Sequence, residues 1–495
     1  MTLKQGINSQ QSELLLLKKA SSLFEKNKYS KIVDLYAKTE IEFFQNVKTF
    51  LIFALSLRQL KRNQHAIEVI HKGIDLHSAE PQLWIELGQN YFESGEINRA
   101  LKAFNTADQI DQRNKTLKFQ IGLCKYRLGN DVDAINSFID TLNIDQKYYL
   151  AWLNLGNAFI RIRKIDAALE AYSMIPPEDV NFPMANFNKS LCHLLNGDFE
   201  AGWLAYEWRR KIEGSEYLKL NRSLPEWDGL QHSNRRIYIS SEQGIGDEVF
   251  FSRWLCNISK FDSEFTIALD DRLHDIYRRS FPKLKFISKN EDISNSQFDQ
   301  YLPIGSLPNK LRSNDIDKPA YLFADDDKIH NLKEKIDSKG KLTIGISWIS
   351  KNSGNGIFRS VQLNQLTSVF DGIDAKIVSL QYGDAGSDFS SLAQSDGRFE
   401  NADFIDKFRD IDSLTALISA CDLIVSVDNS TIHFAGALGK QTFVLLNFSP
   451  DWRWGLSGDK TNWYHSLRLF RQTTPHSWEE PIKMLRQELV KLTNC

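Results

Sequence analysis

Small and apolar positions in the first 216 residues recur with a period of 34. Laid over itself at that offset, the chain places Gly88, Gly122, Gly156 and Ser190 in one column, with Ala54 and Ala20 before them. A second column holds Ala100, Ala134, Ala168 and Gly202, preceded by Ala66 and Ile32, and a third holds Phe104, Phe138, Tyr172 and Tyr206, preceded by Ile70 and Tyr36. Trp84 and Trp152 each stand four residues before the glycine of their unit. Each period predicts a pair of helices. Six units fit, at 13–46, 47–80, 81–114, 115–148, 149–182 and 183–216, the first two degenerate. Gly95, Gly129 and Gly197 share a further column at the turn between the two helices, where Lys61 and Arg163 are the exceptions. Past residue 216 the pattern changes: 217–234 has little periodicity and is expected to be a linker. From there, short β-branched runs without polar alternation, the pattern of strands buried on both faces of a parallel sheet, alternate with helical runs. Strands are expected at 236–241, 265–269, 284–287, 342–348, 375–380, 423–427 and 443–446, and helices at 272–280, 325–338, 359–370, 413–420 and 473–492. Segment 301–307 is expected to be an apolar turn.

The 34-residue columns are the tetratricopeptide pattern. Small residues let the two helices approach, and the aromatic column is expected to fill the gap between neighbouring hairpins. Such arrays present a concave surface to extended peptides or partner helices, so a protein partner is expected there. A purely structural arm is the plainer alternative. Ile175, Pro176 and Pro177 are expected to bend the array, and 197–210, loaded with Trp203, Tyr206 and Trp208, to pack against the domain that follows. The domains expected are a repeat array at 1–216, a linker at 217–234, and α/β units at 235–338 and 339–495.

Composition narrows the function classes. Sixty-one basic against 63 acidic residues leave a net charge of −2, which gives no electrostatic footprint for nucleic acid. The apolar run 14–17 is too short for a signal peptide or a membrane span, so a cytoplasmic protein is expected. Cys124, Cys192, Cys256, Cys421 and Cys495 are scattered without ligand spacing, which predicts free thiols and no metal site.

The candidate chemistry lies at strand ends, where α/β sheets bind ligands. In DLIVSVDNSTIHFAGALGKQTFVLL, Asp428 follows an expected strand, and Ser430 or Thr431 can cap the helix that Gly439 stops. Asp428, Asn429, Ser430 and Thr431 would then meet a phosphate, although a polar βα turn is the plainer explanation of those residues alone. The turn Gln243, Gly244, Ile245, Gly246, Asp247 lacks the third glycine of a dinucleotide fingerprint, which disfavours a dehydrogenase. Its glycines would let a substrate approach the backbone, and Asp247 is either a reactive carboxylate or a helix stabiliser. Lys351, Arg359 and Gln381 fall at two further strand ends, pointing the same way as Asp428 by the handedness of βαβ units. A Lys/Arg pair beside a helix amino terminus suits a leaving phosphate.

Four stretches carry a family resemblance: SEQGIGDEVFFSRWL, SWISKNSGNGIFRSVQL, VSVDNSTIHFAGALGKQTFVLL, and SPDWRW with NWYHSLRLFRQ. Together they resemble the heptosyltransferase-like glycosyltransferases that carry amino-terminal tetratricopeptide repeats. That group is similar in plan to O-linked N-acetylglucosamine transferases, and some of its members are associated with flagellin. The resemblance implies an α-helical repeat solenoid followed by an α/β glycosyltransferase of the B type, with two Rossmann-like lobes, a nucleotide-sugar donor and no metal. It also implies Asp247 as the base, Lys351, Arg359 and Ser360 as the phosphate-contacting loop, and Asp428, Asn429, Ser430 and His433 as the donor motif. Asn429 departs from the threonine of that motif. Three functions stay open: a protein O-glycosyltransferase, a non-catalytic adaptor, and a transferase acting on a glycan or lipid.

Overall fold

A computed structural model describes residues 3–38, 44–214, 224–231, 233–312, 320–351, 354, 356–383 and 386–493. Much of the expected linker, three residues of the loop after 350, and Cys495 lie outside the described residues. The chain divides into two compact units, Met1–Phe182 and Pro183–Cys495. The division falls one repeat before the boundary expected at residue 216.

The first unit is five helical hairpins: Leu3–Phe24 with Tyr29–Tyr36, Val47–Gln59 with Asn63–Leu76, Pro81–Glu93 with Ile97–Ile110, Lys115–Arg127 with Asp131–Ile144, and Tyr149–Arg161 with Ile165–Ser173. At the turn column Gly95 and Gly129 have φ of +79° and +82°, and Asn27, Lys61 and Arg163 take the same left-handed region at 53°, 58° and 59°. Glycine suits that conformation because it has no Cβ to clash there. The aromatic column packs within hairpins as well as between them. A Cβ on Gly88 would lie 2.6 Å from the ring of Phe104, and one on Gly122 the same distance from Phe138, with Gly156 and Tyr172 paired alike. Each ring therefore sits on the glycine of its own hairpin, because the missing side chain on the first helix is the space the ring on the second one needs, and Phe104 and Phe138 also share a core with Leu117 and Ile121, and with Ala151 and Leu155, of the hairpin that follows.

The second unit opens with a sixth hairpin, Phe182–Leu195 and Phe199–Tyr206, then builds two wholly parallel sheets. The first holds β1 (Arg236–Ser240), β2 (Glu264–Leu269), β3 (Lys285–Ser288) and β4 (Gln300–Pro303) in the order β3-β2-β1-β4. The second holds β5 (Leu342–Ser347), β6 (Ala375–Ser379), β7 (Phe399–Glu400), β8 (Leu423–Val427), β9 (Thr442–Leu446) and β10 (Leu467–Arg471) in the order β10-β9-β8-β5-β6-β7. Segment 301–307, expected as a turn, supplies β4, and β7 and β10 are strands that the periodicity did not predict. In each sheet the chain runs outward from its first strand and then returns to that strand's other side. The order thus reverses between β1 and β4 and between β5 and β8, where crevices open at the carboxyl ends of the strands.

Two expected helices are cut short. Segment 359–370 is broken into Gly356–Arg359, Leu363–Thr367 and a 3-10 turn, because Val361 N–H donates to the Trp348 carbonyl and Gln362 is extended. The closing helix is Glu479–Thr493 rather than one from 473: Pro475 disfavours helix in the residue before it, and His476 has φ +63°.

The sixth hairpin packs on the sheets, as its aromatic load predicts. Trp203 lies edge-on to Phe251, Trp254, Trp452 and Trp463 with ring centroids 5.3 to 6.4 Å apart. Arg209, fully buried, donates Nε and Nη2 to Glu242 at 2.9 Å each and Nη2 also to Ser306 Oγ at 2.9 Å.

Candidate functional site

The turn after β1 and the turns after β5 and β8 face one another across a cavity of about 430 Å³. From the first sheet it is lined by 243–247, and from the second by Ser350, Lys351, Arg359, Tyr382, 428–430, His433 and 451–453, with Phe187, Leu191 and Tyr206 from the sixth hairpin. Helix Ile245–Phe251 closely approaches helix Ser430–Ala437: a Cβ on Gly246 would lie 3.1 Å from His433 Cδ2 and 3.4 Å from Ser430 Cα. Gly246 thus makes room for helix Ser430–Ala437, a role that the sequence reading did not give it.

Charge organises this cavity. Arg453 Nη2 lies 2.5 Å from Asp247 Oδ1, and its Nη1 lies 2.9 Å from Asp451 Oδ1. Arg359 continues the chain, Nη1 at 3.0 Å from Asp428 Oδ2 and Nη2 at 3.6 Å from Asp451 Oδ2. Three carboxylates and two guanidinium groups therefore alternate across the lobes, carrying one surplus negative charge when all are ionised. Asp247 also accepts at Oδ2 from the Gly244 N–H, 3.2 Å, which caps its own helix while 26% of its side chain stays accessible to the cavity. Asp247 thus stabilises its helix, one of the two sequence readings, and also lines the cavity.

Burial pushes the Asp247 carboxyl up, opposed by Arg453 and reinforced by Asp451. Burial likewise raises Asp428 against the pull of Arg359. At Asp451 the same burial is outweighed by Arg453 and Arg359, and the group stays below the usual carboxylate range. His433 is pushed well below the usual imidazole value, by burial first and then by Arg453. Its Nδ1 lies 3.0 Å from Tyr464 Oη and its ring stacks on Trp454 at 5.6 Å, so it is a neutral packed ring. Lys351 forms no ion pair among the described residues; its chain lies over Gly383, whose φ of +81° and missing Cβ leave the space.

The remaining sequence candidates separate. Ser430 Oγ donates to Tyr382 Oη at 3.2 Å on the cavity wall. Asn429 reaches the wall, but its Nδ2 donates to Ser347 Oγ at 2.7 Å and its Oδ1 accepts from Thr431 N at 3.0 Å, so the helix cap is Asn429 rather than Ser430 or Thr431. Gln381 Oε1 accepts from Ser347 Oγ and from the N–H groups of Trp348 and Ile349 at 2.9 to 3.0 Å, which stitches β6 to the end of β5. Ser360 accepts from Ser350 N at 3.0 Å and lines a separate groove of about 1190 Å³ with Trp348 and Trp478. Gln381, Ser360 and Thr431 are not brought to this cavity. Asp451, Arg453 and Tyr382 are, and sequence reasoning gave them no role. The only signal for the first two was the SPDWRW stretch of the family resemblance.

The tetratricopeptide repeat model matches residues 81–114. Across 452 residues the chain is 25% identical to Protein FlbA of Caulobacter vibrioides, a similarity covering 86% of this chain and 70% of that one. It is 22% identical over 163 residues to a probable UDP-N-acetylglucosamine–peptide N-acetylglucosaminyltransferase, SPINDLY of Hordeum vulgare, covering 32% of this chain, in the repeats alone, and 17% of that protein. Among solved structures, YrrB, a TPR protein with an unusual peptide-binding site, is 16% identical with a TM-score of 0.31, covering 36% of this chain and 91% of that one. The chain is a tetratricopeptide-repeat protein that continues into a unit of parallel sheets, similar to FlbA over most of its length and to SPINDLY over its repeats.

Proposed function

We propose that the second unit is a glycosyltransferase of the B type that moves a sugar from a nucleotide-activated donor to a hydroxyl of a protein recruited by the repeats. The observation that carries this reading is the cavity itself: Asp247 at the end of β1 lies across from Lys351, Arg359 and Asp428 at the ends of β5 and β8. In the proposed reaction Asp247 takes the proton of the acceptor hydroxyl as its oxygen attacks the anomeric carbon. The bond from that carbon to the leaving phosphate oxygen breaks, its electron pair departs with the nucleotide, and the configuration inverts. Lys351 and Arg359 meet the charge that grows on the leaving group. No metal enters the proposed step, and full activity in excess chelator is expected.

The test supplies UDP-, GDP-, ADP- and CMP-sugars with extract from a strain lacking the protein, and reads sugar on protein by mass spectrometry. Asp247→Asn keeps a capping oxygen but accepts no proton at neutral pH. A folded variant with turnover lowered by roughly 10² or more is expected. Near wild-type turnover at saturating donor and acceptor would show that Asp247 is not the base.

A non-catalytic adaptor is the second reading, favoured by the ion pair that occupies Asp247 and by a likeness to SPINDLY confined to the repeats. Binding of a nucleotide sugar with no release of nucleotide in extract would favour it.

A further inference from the structure

Within that reading, we infer that Arg453 is the positioning residue of the reaction: it fixes the Asp247 carboxylate toward the cavity and keeps it ionised there. Nothing in the chain sequence links the two residues, which lie 206 positions apart and belong to different lobes.

The geometry around Arg453 is that of a held group. Its guanidinium lies 4.6 Å from the centroid of Phe250 and 4.4 Å from that of Trp452, two rings set at 88° to each other. Asp451 accepts from both its Nη1 and its backbone N–H, at 2.9 and 3.2 Å. The residue is 6% exposed, so the aromatic walls and one carboxylate orient it before it meets Asp247. With Arg453 on Oδ1 and the Gly244 N–H on Oδ2, the Asp247 carboxylate cannot turn, yet each oxygen keeps a second lone pair. One of these can accept a hydroxyl proton from the cavity. This is the arrangement of a base oriented by a third group.

The electrostatic argument runs the same way. The charged and titratable groups around Asp247 are Arg453, Asp451 and Arg359, with Asp428, His433, Lys351, Tyr206 and Tyr382 lining the same cavity and Tyr464 behind His433. Glu248, its neighbour on the helix, faces away and is held by Lys289 Nζ at 3.1 Å and the Asp270 N–H at 2.9 Å. Of the cations among the described residues, Arg453 alone forms an ion pair with Asp247. Without it the partly enclosed carboxyl loses its charge-assisted partner and holds its proton more tightly, which weakens it as a base at neutral pH.

Two measurements test this, with Arg453→Met and Arg453→Lys. The first uses ligand-free protein and follows thermal unfolding from pH 5 to 8. In wild type, Asp247→Asn should shift the melting temperature little, because relief of the enclosed carboxyl is offset by the loss of Arg453's partner. In the Arg453→Met background it should raise the melting temperature, increasingly as pH rises. The folded-state pKa of Asp247 lies above its unfolded value already in wild type and further above it without Arg453, so the stability tied to its proton, present at low pH, is lost as pH rises through the folded pKa, and more of it is lost in the variant. The second follows transfer turnover against pH. Arg453→Met should lose at least about tenfold at neutral pH and move the acid limb upward by roughly one unit or more, while Arg453→Lys keeps the limb near wild type. A merely structural arginine would lower the melting temperature without moving the limb. Coincident limbs, or an Asp247→Asn effect of the same size and pH slope in both backgrounds, would overturn the inference. If wild type transfers no sugar at all, the functional reading falls, while the unfolding series still decides whether Arg453 governs the Asp247 proton.

Discussion

The repeats and the sheets of this protein solve burial in opposite ways. Among the described residues of the first unit, the buried charges are Glu13, whose carboxylate takes the Gln45 and Asn46 N–H groups, and Glu86, paired with Arg58 at 2.8 Å. Most of the rest of its core is apolar shape, with a ring set against a glycine in three successive hairpins. The second unit buries Arg209, Glu242, Glu248, Arg253, Asp412, Asp428 and Arg453. Desolvating so many charges costs more than an apolar core would. Shape suffices where a surface only has to be presented, and buried charge is the investment expected where a reaction needs fixed fields.

Breaking a buried charge pair should have the largest effect. Arg209→Met leaves Glu242 enclosed without its guanidinium and should cost about 3 to 5 kcal/mol in chemical unfolding of the second unit. Breaking shape in the array should cost less. Gly156→Ala drives a methyl into the Tyr172 ring and should cost about 1 to 3 kcal/mol, read from the urea midpoint of the first unit.

The contrast should also be visible in pH. His433 is buried with its pKa depressed, so the stability it contributes is present above the unfolded value of about 6.5 and is lost as pH falls below it, by up to about 1.4 kcal/mol per unit. His433→Gln should flatten that part of the stability profile, and an unchanged slope would mean that the ring is protonated in place. The smallest effect belongs to the array. Lys61→Gly relieves a left-handed residue at φ 58° and should stabilise by about 0.5 to 1 kcal/mol, an effect that shows in the unfolding midpoint and leaves transfer unchanged.

What was legible in the sequence follows the range of the interactions. The repeats were readable because each ring and its glycine are 16 residues apart in the same hairpin, and the column recurs often enough to be seen. The turns carrying Asp247, Lys351, Arg359 and Asp428 were readable because each follows a strand that its own residues predict. The pairing of Asp247 with Arg453 was not, since it forms between two lobes and leaves no periodic trace. Strand β10, with Arg468 and Arg471 inside it, was hidden for a related reason: its burial comes from β9 and from helix Glu479–Thr493, not from its own composition. Gln381 and Ser360 show the converse. A polar side chain near a strand end looks the same in sequence whether it awaits a ligand or ties the backbone: Gln381 holds the end of β5, and Ser360 holds its own loop through Ser350 and Gly356.

The sixth hairpin has a practical consequence for anyone dividing this protein. A fragment beginning at residue 230 would present the faces of Trp254, Trp452 and Trp463 to water where Trp203 had covered them, and would leave Glu242 with no counter-ion. Such a fragment should be sticky and poorly soluble, and its inactivity would say nothing about substrate recruitment. A cut between Phe182 and Pro183 keeps that hairpin with the sheets, so a deletion made there can ask whether the first five hairpins bring the acceptor.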